Sequence, residues 1–136
     1  FSNGIRFHTA VNKFCFQASI GKPLTIWKTA YEQKRPYLGL DDLSLAIVHV
    51  LKNNICDNSI YNLVSVNYTV KDIIDIINKH ISNIKIDYVE HEIMNQLSYE
   101  VSTKKFKTKG FKFKSNINKE INTTIKSLNN INYDNF

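Results

Sequence analysis

Apolar residues recur with helical period near the start of the chain. Between Thr9 and Ile20, the residues Ala10, Val11, Phe14, Cys15, Ala18 and Ile20 fall mostly on one helical face, and Gly21 supplies a C-terminal stop. Lys22-Pro23 forces extended backbone, so Leu24 to Trp27 is predicted as a short strand. A polar loop carrying Tyr31 to Lys34 precedes a second extended piece, Tyr37 to Leu40. Asp41 or Asp42 is then placed to cap a helix carrying Leu43, Ala46, Ile47, Val50 and Leu51, which ends near Asn53-Asn54. Ile60 to Val64 is apolar at nearly every residue, the pattern of a strand buried on both faces inside a parallel sheet.

Thr69 is the expected cap of a further helix, with Asp72 in its first turn and Val70, Ile73, Ile74, Ile77 and Ile81 on a broad buried face. Ile84 to Tyr88 alternates like a half-exposed strand. A last helix starts at Ser115 and repeats Ile117, Ile121, Ile125 and Leu128 at steps of four, four and three. Strands alternating with helices predict an α/β architecture, and no internal repeat is evident.

The 136 residues suit one domain able to bury a core. The longest apolar runs, such as Leu45 to Leu51, fall far short of the roughly 20 residues that span a bilayer, and the N-terminus lacks a signal-peptide layout. No membrane association and a cytoplasmic location are therefore expected. Cys15 and Cys56 have no CxxC spacing, and are read as reduced thiols packed in or near the core. The net charge of +6 invites a polyanion, but six lysines lie between Lys104 and Lys114. Arginine, whose rigid fork matches paired phosphate oxygens, occurs only as Arg6 and Arg35.

The junctions between elements carry the clearest signal. Gly21-Lys22-Pro23-Leu24-Thr25-Ile26-Trp27 is followed by Arg35-Pro36-Tyr37-Leu38-Gly39-Leu40-Asp41-Asp42, then Tyr61-Asn62-Leu63, a helix from Thr69, Lys105 to Phe111, and the helix Ile117 to Leu128. This ordered set resembles the C-terminal region of extended short-chain dehydrogenase/reductases, the NAD(P)-dependent nucleotide-sugar epimerases and dehydratases. The resemblance runs almost end to end. It implies an extended SDR, Rossmann-type fold whose N-terminal dinucleotide-binding lobe is absent, so that residues 1–136 form a single C-terminal substrate-binding region. Phe1 to Arg6 reads like a chain entered midway through a connection, which agrees with a fragment. Neither a glycine-rich dinucleotide turn nor a Tyr-x-x-x-Lys pair occurs, so no catalytic and no cofactor-binding residue is assigned here. NAD or NADP, and hydride transfer, belong by this resemblance to the full-length parent.

The resemblance assigns substrate contacts to particular residues. Arg35 stands where the family arginine meets the nucleotide or its pyrophosphate; the competing reading is a surface or helix-capping arginine. Trp27 aligns with an aromatic beside the nucleobase, against a packed core tryptophan. Val11 and Asn12 match a stretch that approaches the nucleotide at a helix start, against ordinary helix packing. Asp42 is read as a structural cap rather than an acid, and Asn62 as bonding to backbone. Pro36 replaces the usual acidic residue after the arginine, and a later family arginine is missing near Gln96-Leu97-Ser98-Tyr99, so a second phosphate contact comes from a lysine or from nothing. Expected partners are a nucleotide-sugar (UDP- or related NDP-sugar) and the chain's own N-terminal Rossmann lobe. The resemblance also admits a homodimer of the full-length protein.

Other chemistries find little support. Glu90-His91-Glu92 has no second ligand set, so no metal site is assigned, and no nucleophile motif such as Gly-x-Ser-x-Gly occurs. Lys104 to Lys114 interleaves Phe106, Phe111 and Phe113 with lysines, which suits a non-catalytic module holding RNA or another polyanion and equally suits a strand or turn with one buried and one wet edge. The second use is preferred.

Overall fold

A computed structural model describes residues 9–90 and 98–130. Arg6, His91, Glu92, Gln96 and Leu97, singled out in the sequence, lie outside the described residues. The elements in order are α1 (Ala10–Ser19), β1 (Leu24–Trp27), a 3-10 turn (Lys28–Ala30), β2 (Lys34–Tyr37), α2 (Leu40–Lys52), β3 (Val66–Thr69), α3 (Val70–Asn78), β4 (Ile86–Val89), α4 (Lys104–Lys107) and α5 (Ile117–Asn129). β1 pairs in parallel with β4, Leu24 opposite Ile86 and Trp27 opposite Val89. β2 pairs antiparallel with β3, Arg35 opposite Tyr68 and Tyr37 opposite Val66. The architecture is mixed α/β, as the alternation predicts.

Helix ends follow local chemistry. Gly21 has φ +66°, and the amides of Gly21 and Lys22 donate to the carbonyls of Ala18 and Gln17, a Schellman stop for α1. At α3 the Thr69 hydroxyl accepts from the Asp72 amide at 3.0 Å, while Asp72 accepts from the Thr69 amide at 2.8 Å, which completes a capping box. The main core gathers Phe14, Cys15, Leu24 and Ile26 with Ile73, Ile74 and Ile77 of α3 and Ile117, Ile121, Ile125 and Leu128 of α5. A smaller cluster packs Ala46 against Phe106 and Phe111.

Several expectations are corrected. The second extended piece is Lys34–Tyr37, not Tyr37 to Leu40, because its ladder with β3 ends at Tyr37 and Leu40 already opens α2. Ile60 to Val64 is not a strand among the described residues; the parallel pair is β1 with β4 instead. On α2, Ala46 is buried, but Ile47 and Leu51 face outward, with Leu51 74% exposed. Cys15 is buried, with its thiol pushed up to about 12 by desolvation, whereas Cys56 is exposed rather than packed.

Asp42 is structural, but it does not cap its own helix. The N-cap is Gly39, and the fully buried Asp42 reaches away from α2. Its Oδ1 accepts from the amides of Lys114 at 2.7 Å and Ser115 at 3.1 Å, and its Oδ2 from the Ser65 hydroxyl at 2.6 Å. The Gly39 amide donates to Ser65 Oγ at 2.9 Å, and the Asp42 amide to Ser115 Oγ at 3.2 Å. A Cβ at Gly39 would overlap Ser115 Oγ and Glu120 Oε1, so glycine is needed there for close approach, its φ of −71° being ordinary.

Burial pushes the Asp42 carboxyl up, but the donors from Lys114, Ser65 and Ser115 outweigh it and hold the group below its ordinary value. A carboxylate depressed in the folded state stabilises the fold at pH above its unfolded value, and that contribution is lost as pH falls through the folded value. Asp42→Ala strands buried donors, so urea unfolding at pH 7 is expected to show a loss of roughly 3 kcal/mol. The gap between wild type and variant should narrow as pH falls below about 4; a gap independent of pH would remove the charge from this account.

Candidate functional site

A cleft of about 330 Å³ opens between the N-terminal half of α1 and the ends of β1 and β2. Ala10, Lys13 and Phe14 line it from α1, Thr25, Ile26 and Trp27 from β1, and Arg35 and Tyr37 from β2. The spacing of the α1 residues by three and four places them on one helical face. Gln17 fixes α1 to β1: its Nε2 donates to Thr25 Oγ1 at 3.0 Å, and its Oε1 accepts from the Thr25 amide at 3.4 Å.

Arg35 and Trp27, assigned from separate motifs, meet in this cleft. Trp27 is 37% exposed at the C-terminal end of β1, so the packed-core reading fails. Arg35 is half-buried; its Nη1 donates to the Lys34 carbonyl at 2.8 Å and its Nη2 to Gln33 Oε1 at 2.6 Å. The guanidinium lies over the Tyr99 ring, 5.2 Å from its centre. Two of its five N–H groups are thus engaged in these bonds, and the planar fork is held in place. Nearby, Lys34 forms an ion pair with Glu100, and the Lys34 amide donates to Ser98 Oγ at 3.0 Å. Burial raises the Tyr37 phenol, with Arg35 acting in the opposite sense.

Val11 and Asn12 fall in an adjoining hollow with Pro36, Tyr37, Leu38 and Leu40. Ala10 and Tyr37 line both spaces, so the assigned residues fall two and two in neighbouring hollows that share that pair. Lys13, Tyr37 and Tyr99 were not picked from sequence. Lys13 is one lysine of many, and Tyr99 reaches Arg35 across 64 residues of chain. Tyr99 brings an aromatic face to Arg35.

The lysine-rich segment has its aromatic residues committed elsewhere. Phe106 and Phe111 are buried with ring centres 4.9 Å apart, and Phe113 lies edge-on to Phe111. Lys109 forms an ion pair with Asp57 at 2.9 Å, and Lys105 Nζ donates to the Ile60 carbonyl at 3.1 Å. The Tyr61 hydroxyl and Lys109 together hold the Asp57 carboxyl well below its ordinary range. Asn62 Nδ2 donates to the Ser102 carbonyl at 3.3 Å, the backbone bond expected of it. Among the described residues there is no cluster of three metal-ligating side chains and no helix long and apolar enough to cross a membrane.

Comparison with solved structures identifies the fold. The UDP-glucose 4-epimerase of Thermus thermophilus, solved with NAD, superposes with a TM-score of 0.71 at 17% identity, over 89% of this chain and 40% of that one. The Bordetella bronchiseptica enzyme WbmF with NADH gives 0.68 at 18% identity, over 88% of this chain and 36% of that one. WbmF with NAD+ and UDP gives 0.67 at 19% identity over the same shares. The chain has the fold of part of these NAD-bound enzymes. It spans about two-fifths of their length or less. No family model and no curated protein matches the sequence.

Trp27 is the single tryptophan, so its emission reports the cleft directly. Its exposure predicts ready quenching by acrylamide in the folded protein, and Trp27→Ala should change stability by less than about 1 kcal/mol. Emission shielded from acrylamide would place the ring in the core.

Proposed function

We propose that this chain is the C-terminal, substrate-binding lobe of an NAD(P)-dependent nucleotide-sugar epimerase or dehydratase. The cleft bearing Arg35 and Trp27 takes the nucleoside diphosphate of a UDP- or related NDP-sugar. The observation that carries this reading is the convergence of Arg35 and Trp27, drawn from two separate motifs, on one cleft of an epimerase-type fold. The guanidinium pairs with phosphate oxygens, and the indole offers a flat apolar face to a base ring. Val11 and Asn12 border the neighbouring hollow at the start of α1 and approach the nucleotide from the other side of Ala10 and Tyr37.

This lobe binds and orients; the Tyr-x-x-x-Lys chemistry and the nicotinamide cofactor belong to a Rossmann lobe that packs against it. NAD or NADP supplies the hydride exchange there. The outward face of α2 supports such a partner: Leu40 and Leu51 are 73% and 74% exposed, and Ile60, beside Tyr61-Asn62-Leu63, is 87% exposed. Apolar surface of that kind is ordinarily covered in a working protein. The Thermus epimerase and WbmF carry more than half of their chains beyond the part matched here.

Isothermal titration with UDP, UDP-glucose and an oligo-RNA tests the reading. UDP and UDP-glucose are expected to bind weakly and to quench Trp27, and Arg35→Ala to weaken both by roughly tenfold or more. Equal binding by that variant would sink the phosphate role of Arg35, and preference for RNA would transfer the function to the Lys104 to Lys114 segment.

A further inference from the structure

We infer that Lys13 is the second phosphate-binding cation of the cleft and sets its preference for a diphosphate over a nucleoside; this rests on the sugar-nucleotide reading above. Lys13 lines the cleft with Arg35, and no acidic residue does among the described residues. Among the described residues Lys13 has no ion-pair partner. Its position is also costly: it lies one turn into α1, where the helix dipole disfavours a cation, and the first turn of α1 contains no acid to offset it. Lys34, by contrast, is paired with Glu100, and Lys71 with Asp75.

A bound dianion removes that tension. The pyrophosphate of a sugar nucleotide carries two negative charges, which Lys13 and Arg35 match one for one. Their chemistries divide the work. Arg35, braced by Gln33, the Lys34 carbonyl and Tyr99, presents a fixed fork. Lys13 is a point charge on a flexible stem that follows the other phosphate. Trp27 gives base contact with no charge dependence, so phosphate and base recognition are separable in the same cleft.

Titration of UDP and of uridine into wild type, Lys13→Met, Lys13→Arg and Arg35→Ala, with thermal melts as a check on folding, tests this. Lys13→Met is expected to weaken UDP by roughly tenfold or more while leaving uridine unchanged, and to flatten the fall of UDP affinity with salt. Lys13→Arg should recover most of the loss. Unchanged UDP binding by Lys13→Met beside a loss in Arg35→Ala overturns the role of Lys13 and leaves the cleft reading standing. A parallel loss of UDP and uridine overturns it too, since the effect would then be one of shape. Wild type that fails to favour UDP over uridine overturns both.

Discussion

The buried carboxylate of Asp42 is the constraint on which the arrangement depends. From α2 it binds the approach to β3 at Ser65 and the entry to α5 at Lys114-Ser115, and the β2–α2 turn joins through the Gly39 amide, which donates to Ser65 Oγ. A desolvated carboxylate is costly unless each lone pair is matched, so these donors cannot drift without leaving a charge exposed to apolar surroundings. The result reaches the cleft because β2 runs straight into Gly39. Fixing that turn fixes the strand that presents Arg35 and Tyr37.

Two packing centres follow from this clamp. α5 packs into one core with α1 and α3 through its isoleucines and Leu128, and so supports the helix that lines the cleft. α2 buries Asp42 and Ala46 fully and rests Val50 on the cluster of Ala46, Phe106 and Phe111. Its Leu40, Leu45, Ile47, Val48 and Leu51 are exposed. The cleft is therefore set on the well-packed side of the molecule, and exposed apolar surface lies along α2 and at Ile60.

Legibility in the sequence tracked how local each interaction is. α1, β1, α3 and α5 were readable because periodicity, the Thr69–Asp72 box and Gly21 act within a few residues. The second strand was misplaced because its limits are set by pairing with Val66 to Thr69, which no local pattern announces. Asp42 looked like a helix cap because its true partners are more than twenty and more than seventy residues away. Ile60 to Val64 carries the pattern of a doubly buried strand, yet nothing among the described residues pairs with it. Of the candidate site, Arg35 and Trp27 were legible as motif positions, while Lys13 was not, since a lysine gains its meaning from the acids it lacks nearby.

Positive charge in a cleft attracts an anion best where it is neither cancelled by the protein nor left fully hydrated. Arg35 is oriented by bracing: bonds to Gln33 and Lys34 and the Tyr99 ring hold the guanidinium in place. Carboxylates near the cleft are spent elsewhere, Glu100 on Lys34 and Asp72 on the Thr69 amide and hydroxyl. Those two acids thus hold a loop and a helix cap. An acidic residue after Arg35 would add a competing partner; Pro36 instead stiffens β2 on a two-stranded sheet where the missing amide donor is tolerated.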